Sequence, residues 1–182
     1  MSIPFTHRHI LEDRMSGYEP SPNANHLTVL RRPVIFSALA HAGHEASVAE
    51  ALSLVENIVV RSVSPSDWLL VSQNAEAGAI AASLGAVPGL SFAEQSDGQV
   101  LMAVSGPDVR KILAKCVAVD LHADAFAEGE SAPMMICRVA GNLARTGTDT
   151  FEILVPRSYA GYVFDELREA GREYAMTRGF GE

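Results

Sequence analysis

The sequence predicts an α+β fold of two βαββα halves related by pseudo-twofold symmetry, with helices packed on antiparallel sheet. Three observations predict it. Four segments repeat an apolar stripe at i, i+3, i+4 and i+7, the spacing that lines one face of a helix. Short β-rich runs separate these segments. The order strand, helix, strand, strand, helix then occurs twice within 182 residues. Local wording repeats too: Leu69-Leu70-Val71 before one helix is echoed by Ile153-Leu154-Val155 before its counterpart.

Taken in order, Met1 to about Asn25 is punctuated by Pro4, Gly17, Pro20, Ser21, Pro22 and Asn23 and sustains no periodicity. It reads as an extended, flexible arm (residues 1–25) on a single domain of residues 26–182. An arm that orders against another chain is the alternative, given the apolar Ile3, Phe5, Ile10 and Leu11. The first half, about 33–89, runs through strand Val34–Leu39, the helix of Val48, Ala51, Leu52 and Val55, strands Ile58–Val63 and Trp68–Val71, and the helix of Ala77, Ile80, Ala81 and Leu84. Asn74 can cap this last helix and Gly85 can end it. The second half, about 90–171, opens on Leu90–Gln95 and Val100–Val104, which Asp97-Gly98 marks as a hairpin. Gly106-Pro107-Asp108 starts the third helix, with Pro at its first turn and Val109, Ile112, Leu113 and Cys116 on its stripe. Strands Met134–Val139 and Phe151–Val155 flank the turn Arg145-Thr146-Gly147-Thr148-Asp149. Ala160, Val163, Phe164 and Leu167 make the fourth helix, capped by Ser158 and closed by Gly171.

The formal net charge of -8 argues against nucleic acid, which needs clustered cations. Twelve of the 14 basic residues are arginine, the exceptions being Lys111 and Lys115. Between Pro33 and Val109, Arg61 is the lone cation against eight carboxylates, a solvated acidic surface or a face for a basic partner. No run is long and apolar enough to span a membrane, and no signal-peptide core follows Met1. With two cysteines, a secreted disulfide framework is not expected, and the expected location is the cytoplasm.

Chemistry-bearing residues are sparse. His41 and His44 flank Gly43 without two further ligands at metal-binding spacing, and His7 and His9 sit in the arm. Cys116 and Cys137 fall on a helix stripe and in the apolar run Met134-Met135-Ile136-Cys137, so they read as core thiols rather than partners of His122. Asp120 can cap backbone amides or orient His122. Gly141 to Gly147 lacks the Lys and hydroxyl of a phosphate loop. No dinucleotide fingerprint and no nucleophile elbow occur. No catalytic, cofactor-binding or metal-binding residue is assigned.

The stretch Val104-Ser105-Gly106-Pro107-Asp108-Val109-Arg110-Lys111-Ile112-Leu113-Ala114-Lys115, then Val119-Asp120-Leu121-His122 and Phe126, resembles the gamma-subunit family of heterotetrameric sarcosine oxidases. Thr150-Phe151-Glu152-Ile153-Leu154-Val155-Pro156-Arg157-Ser158-Tyr159 and Ser64-Pro65-Ser66-Asp67-Trp68-Leu69-Leu70 are similar to two further hallmarks, so the resemblance spans about Ser64 to Gly171. It departs at Ala123, where the family motif usually has proline. The resemblance implies the fold of the folate-binding domain of aminomethyltransferases. It implies a complex that oxidises sarcosine to glycine, passes the one-carbon unit to tetrahydrofolate and yields hydrogen peroxide. FAD, FMN, NAD, tetrahydrofolate and zinc would lie on the other subunits, none on this chain. The gamma chain would be a scaffold set chiefly against the alpha subunit, alongside beta and delta. Folate-using enzymes of this fold place a carboxylate after a central strand; Val139 to Arg145 offers Asn142 there and no Asp or Glu until Asp149.

The expected function is therefore that of a non-catalytic assembly subunit, with arginines such as Arg138, Arg145 and Arg157 and the arm as contact points. The alternatives are a stand-alone folate-binding or one-carbon transfer protein, and the small subunit of a related N-methyl amino acid dehydrogenase complex such as N-methylglutamate dehydrogenase.

Overall fold

Each half of the chain lays alternating apolar residues along its strands and one apolar stripe along each helix, and these faces select each other in the computed structural model, which describes residues 8–15 and 21–181. Ile3, Phe5, His7, Gly17 and Pro20 lie outside the described residues. The elements are α1 Glu12–Met15, β1 His26–Leu30, β2 Val34–Ala40, α2 Glu45–Ser53, β3 Val59–Ser62, β4 Asp67–Ser72, α3 Ala77–Gly85 and β5 Leu90–Glu94. They continue with β6 Gln99–Ser105, α4 Val109–Leu113, β7 Ser131–Ile136, β8 Val139–Gly147, β9 Thr150–Pro156, α5 Arg157–Gly171 and β10 Thr177–Gly181.

Two sheets result. The first half gives the order β3-β4-β2-β5, and the second gives β10-β1-β6-β9-β8-β7. Both halves carry the expected βαββα order and add a closing strand. In the first, β2-α2-β3-β4-α3 closes with β5 beside β2. In the second, β6-α4-β8-β9-α5 closes with β10, but β1 is inserted between β6 and β10, antiparallel to one and parallel to the other. The shared plan is the split βαββαβ motif, with β7 added at the edge of the second copy.

The core explains the layers. Phe36, Ala38, Trp68 and Leu70 meet Val48 and Leu52 of α2 and Ile80 and Leu84 of α3 on the outer face of the smaller sheet. Val100, Met102, Val104, Phe151, Ile153 and Val155 meet Ile112 and Leu113 of α4 and Val163, Phe164 and Leu167 of α5 on the outer face of the larger one. The intervening strand positions point the other way. Ile35 and Val71 thereby pack on Leu30, Leu101 and Leu154, so the sheets stack with helices outside.

Several local expectations change. The Asp97-Gly98 turn is not a hairpin: β5 pairs with β2, and β6 goes to the other sheet, where β1 and β9 already fill both its edges. Met134–Val139 is not one strand. The chain reverses at Cys137 and Arg138, whose φ values of 47° and 70° form a two-residue turn between β7 and β8. Asn74 does not cap α3; the N-cap is Glu76, and Ser72 Oγ accepts from the Ala75 amide at 3.1 Å. Ser158 lies inside α5, whose N-cap is Pro156. Asp108, not the residue before Pro107, is the N-cap of the five-residue α4, and Cys116 falls in the turn beyond it.

Both described stretches before His26 lie against the domain. Leu11 is fully buried in the larger core, and His9 sets its ring edge-on to Phe180 at 5.2 Å. Asn25, also buried, accepts from the Asp108 amide at 3.0 Å and donates to Tyr174 O at 3.1 Å. Gly106 makes this approach possible. Its φ is +127°, and a Cβ there would stand 2.3 Å from Ala24 O. Leu11→Ala is expected to destabilise the protein by about 2–5 kcal/mol, the range for emptying a buried leucine site. Equilibrium denaturation checks this, and a loss near zero would show that the first segment is not part of the cooperative core.

Candidate functional site

The stacked sheets enclose a polar centre at positions that would otherwise continue the apolar interface. Arg61 on β3 shares a face with Leu69 and Val71, and Glu152 on β9 shares one with Leu154. Their side chains meet as a buried ion pair through Arg61 Nη2 and Glu152 Oε2. The Arg61 side chain is 0% exposed and that of Glu152 is 9% exposed, so the pair works in low dielectric. Gln73 Nε2, just past β4, donates to the other carboxylate oxygen at 2.8 Å. Asn142 on β8 donates to Ser62 O at 3.3 Å, tying the two halves a second time. Burial pushes the Arg61 guanidinium below its ordinary value, and the adjacent Glu152 carboxylate opposes that shift.

A cavity of about 300 Å³ opens beside this centre, lined by Asn57, Val59, Val71, Ser72, Gln73 and Glu152 among others. Its carboxylate already holds two partners. Arg61 Nε, Arg61 Nη1 and Asn142 Oδ1 face the interior with no protein partner, the situation that ordered water commonly relieves. The arrangement is suited to locking two sheets in register. Glu152 accepts one bond at each carboxylate oxygen, from Arg61 and from Gln73, and so joins β9 to both β3 and the end of β4.

The residues singled out from sequence do not converge. His44 is the N-cap of α2, and His41, exposed beside it, contacts Ser91 Oγ through Nε2 at 2.9 Å. Among the described residues, no three His, Cys, Asp or Glu side chains are grouped to hold a metal ion. Cys116 and Cys137 are buried free thiols in mutual contact, and the Cys137 amide donates to Cys116 O at 2.8 Å. Their hydrogen bond raises the Cys137 thiol and lowers that of Cys116. His122 stands apart from both in function: its side chain is exposed, and Asp120 Oδ1 accepts the His122 main-chain amide at 2.9 Å rather than the ring. Arg145 is buried and committed to main-chain oxygens of Phe126 at 2.9 Å and Gly147 at 3.2 Å, so it is a structural clamp and not a contact point. Arg138 is exposed on its turn, and Arg157 begins α5.

The Arg61–Glu152 pair went unassigned from sequence, yet two signals point at it. Arg61 is the lone cation in the acidic stretch, and Glu152 is the lone charge in the apolar run Thr150–Val155. Each alone reads as surface, and only the stacking of β3 over β9 unites them.

These two stacked βαββαβ sheets place the chain in the fold class of the glycine-cleavage aminomethyltransferases. The aminomethyltransferase of Bartonella henselae superposes with a TM-score of 0.58 at 14% identity, over 94% of this chain and 50% of that one. A Mycobacterium tuberculosis aminomethyltransferase is 29% identical over 126 residues, 66% of this chain but 33% of that enzyme. Residues 32–173 match the sarcosine oxidase, gamma subunit family, and the chain belongs to that family. A sarcosine oxidase subunit gamma from Corynebacterium sp. strain P-1 is 29% identical over 145 residues, covering 77% of this chain and 71% of the relative. A chain of the heterotetrameric sarcosine oxidase of Corynebacterium sp. U-96, solved in complex with pyrrole 2-carboxylate, has the same fold. Its TM-score is 0.76 at 20% identity, with 93% and 96% of the two chains covered.

Replacing Arg61 alone by Met should destabilise the protein by about 3–5 kcal/mol, because it leaves Glu152 buried without its counter-ion. The double variant Arg61→Met/Glu152→Leu should recover most of that loss. Denaturant melts of the three proteins check it: a single variant as stable as the parent would remove the pair from its central position.

Proposed function

We propose that this chain is the non-catalytic gamma subunit of a multi-subunit sarcosine oxidase, an assembly component of an enzyme that oxidatively demethylates sarcosine to glycine. The observation that carries the reading is the family match over residues 32–173. The inter-sheet centre supports it: the cleft between the halves offers a carboxylate ion-paired with Arg61 and bonded to Gln73, and Asn142 where folate chemistry would use an ionisable group. Fold likeness to aminomethyltransferases does not bring their activity with it. On this reading FAD, FMN, NAD, tetrahydrofolate and zinc belong to the other subunits, and the alpha subunit is the chief neighbour, with beta and delta completing the assembly. The complex works in the cytoplasm; among the described residues no helix is long and apolar enough to cross a membrane. Residues 26–182 act as one domain, with the segment through Asn25 as an accessory arm.

Co-expression of the full chain with its alpha, beta and delta partners is expected to yield a stable complex in which this chain is stoichiometric. The isolated chain, titrated with a reduced folate and followed by fluorescence, is expected to show no saturable binding. Saturable folate binding by a chain that never co-purifies with the other subunits would replace this reading with that of a stand-alone folate-binding protein.

A further inference from the structure

We propose that the cavity beside the start of α5 is the docking surface for a carboxylate-bearing, partly apolar segment of a partner subunit. The proposal rests on the subunit reading above and adds where and how contact is made. The cavity, of about 310 Å³, lies between the β1–β2 turn, the β5–β6 connection and the first residue of α5, and three guanidiniums line it: Arg31, Arg32 and Arg157. A second cavity of about 630 Å³ adjoins it through Asp97 and Arg157, with Ile10, Arg14 and Tyr162 on its walls.

Seven other arginines are engaged within the chain. Arg8, Arg14, Arg61, Arg110, Arg168 and Arg172 close ion pairs within the chain, and Arg145 holds main-chain oxygens. Arg31, Arg32 and Arg157 form no ion pair among the described residues, although Glu94 and Asp97 stand on the same cavity wall. Glu94 accepts from Ser96 Oγ at 2.9 Å instead. The Arg31 side chain and the Arg157 main chain are fixed in place. Arg31 lies over the Phe180 ring, its guanidinium carbon 4.0 Å from the centroid, and the Arg157 amide donates to Gly98 O at 2.9 Å. Stacked guanidiniums keep their donor forks available for a carboxylate.

The apolar component is adjacent. Ile10 is 46% exposed, Tyr159 55% and Tyr162 40%, and all three surround the first turns of α5. Arginine and tyrosine are the residues that interface centres use most. An acidic segment would be repelled by a chain of net charge -8 over most of its surface, and the convergence of three arginines on one cavity marks where it is accepted. Two joined cavities, one bearing three guanidiniums and one flanked by Ile10 and Tyr162, match a polypeptide carrying a carboxylate next to a large apolar side chain. A small free anion would occupy the first and leave the second empty.

The test is co-expression of the full chain with its partner subunits, using the charge reversal Arg32→Glu/Arg157→Glu and, as a control beyond the far end of α5, Arg172→Glu. The double reversal should retain less than about a tenth of the partner retained by wild type, a loss of tenfold or more in affinity. The control should match wild type. The milder Arg32→Gln/Arg157→Gln keeps the test decisive if the reversal does not fold; it should assemble more weakly and with a shallower dependence on salt. Partner retention by a folded double variant equal to wild type overturns this proposal and leaves the subunit reading standing. A wild-type chain that fails to co-purify overturns both. Titration calorimetry of the isolated chain with succinate should show no saturable binding; saturable binding abolished by the double variant would make this a small-anion site and overturn the docking proposal.

Discussion

The two sheets of this protein are joined across a charged centre, and the Arg61–Glu152 pair is the contact on which their registry depends. An apolar sheet interface has little directional preference, because any pairing of similar area is comparably favourable. Two opposite charges buried on facing strands remove that freedom: a displaced register would leave both uncompensated in low dielectric. Gln73 and Asn142 extend the same constraint, each binding a group from the other half. Leu30, Ile35, Val71, Leu101 and Leu154 then contribute the area, and the polar centre decides how that area is aligned.

That centre lies beside the cavity between the two halves. The cleft between two βαββαβ units is where such a fold can hold a ligand, since strands from both halves converge there. Here the carboxylate that lines the cleft is engaged by Arg61 and Gln73. A second group of arginines lies on the surface around α5, where Arg31, Arg32 and Arg157 stand near exposed tyrosines.

Particular residues show what was legible without coordinates. The four helix stripes placed Val48, Ile80, Ile112 and Val163 on buried faces, and each is in the core, because helical period is a local property that burial reinforces. Asp97-Gly98 was misleading for the opposite reason. A turn signal specifies that the chain reverses but not which sheet receives the next strand, and β6 had both its edges filled by β1 and β9. The reversal at Cys137-Arg138 carries neither Asn nor Gly, so positive φ there is imposed by the pairing of β7 with β8 rather than by residue preference. Strands β1 and β10 are short, and they gain their identity by pairing with each other across most of the chain length.

The sequence by itself determined the two-fold repetition of strand and helix, the family through its motifs, and the absence of the familiar cofactor fingerprints from its text. Those are properties of residue order. Only the tertiary structure decided that Arg61 and Glu152 neutralise each other, that Leu11 belongs to the core, that Arg145 clamps main-chain oxygens and that three other arginines converge on one surface. Each of these is an arrangement in space that residue order alone does not state. Such arrangements depend on which faces the sheets turn toward one another, and burial and charge compensation settle that only when the whole domain has closed.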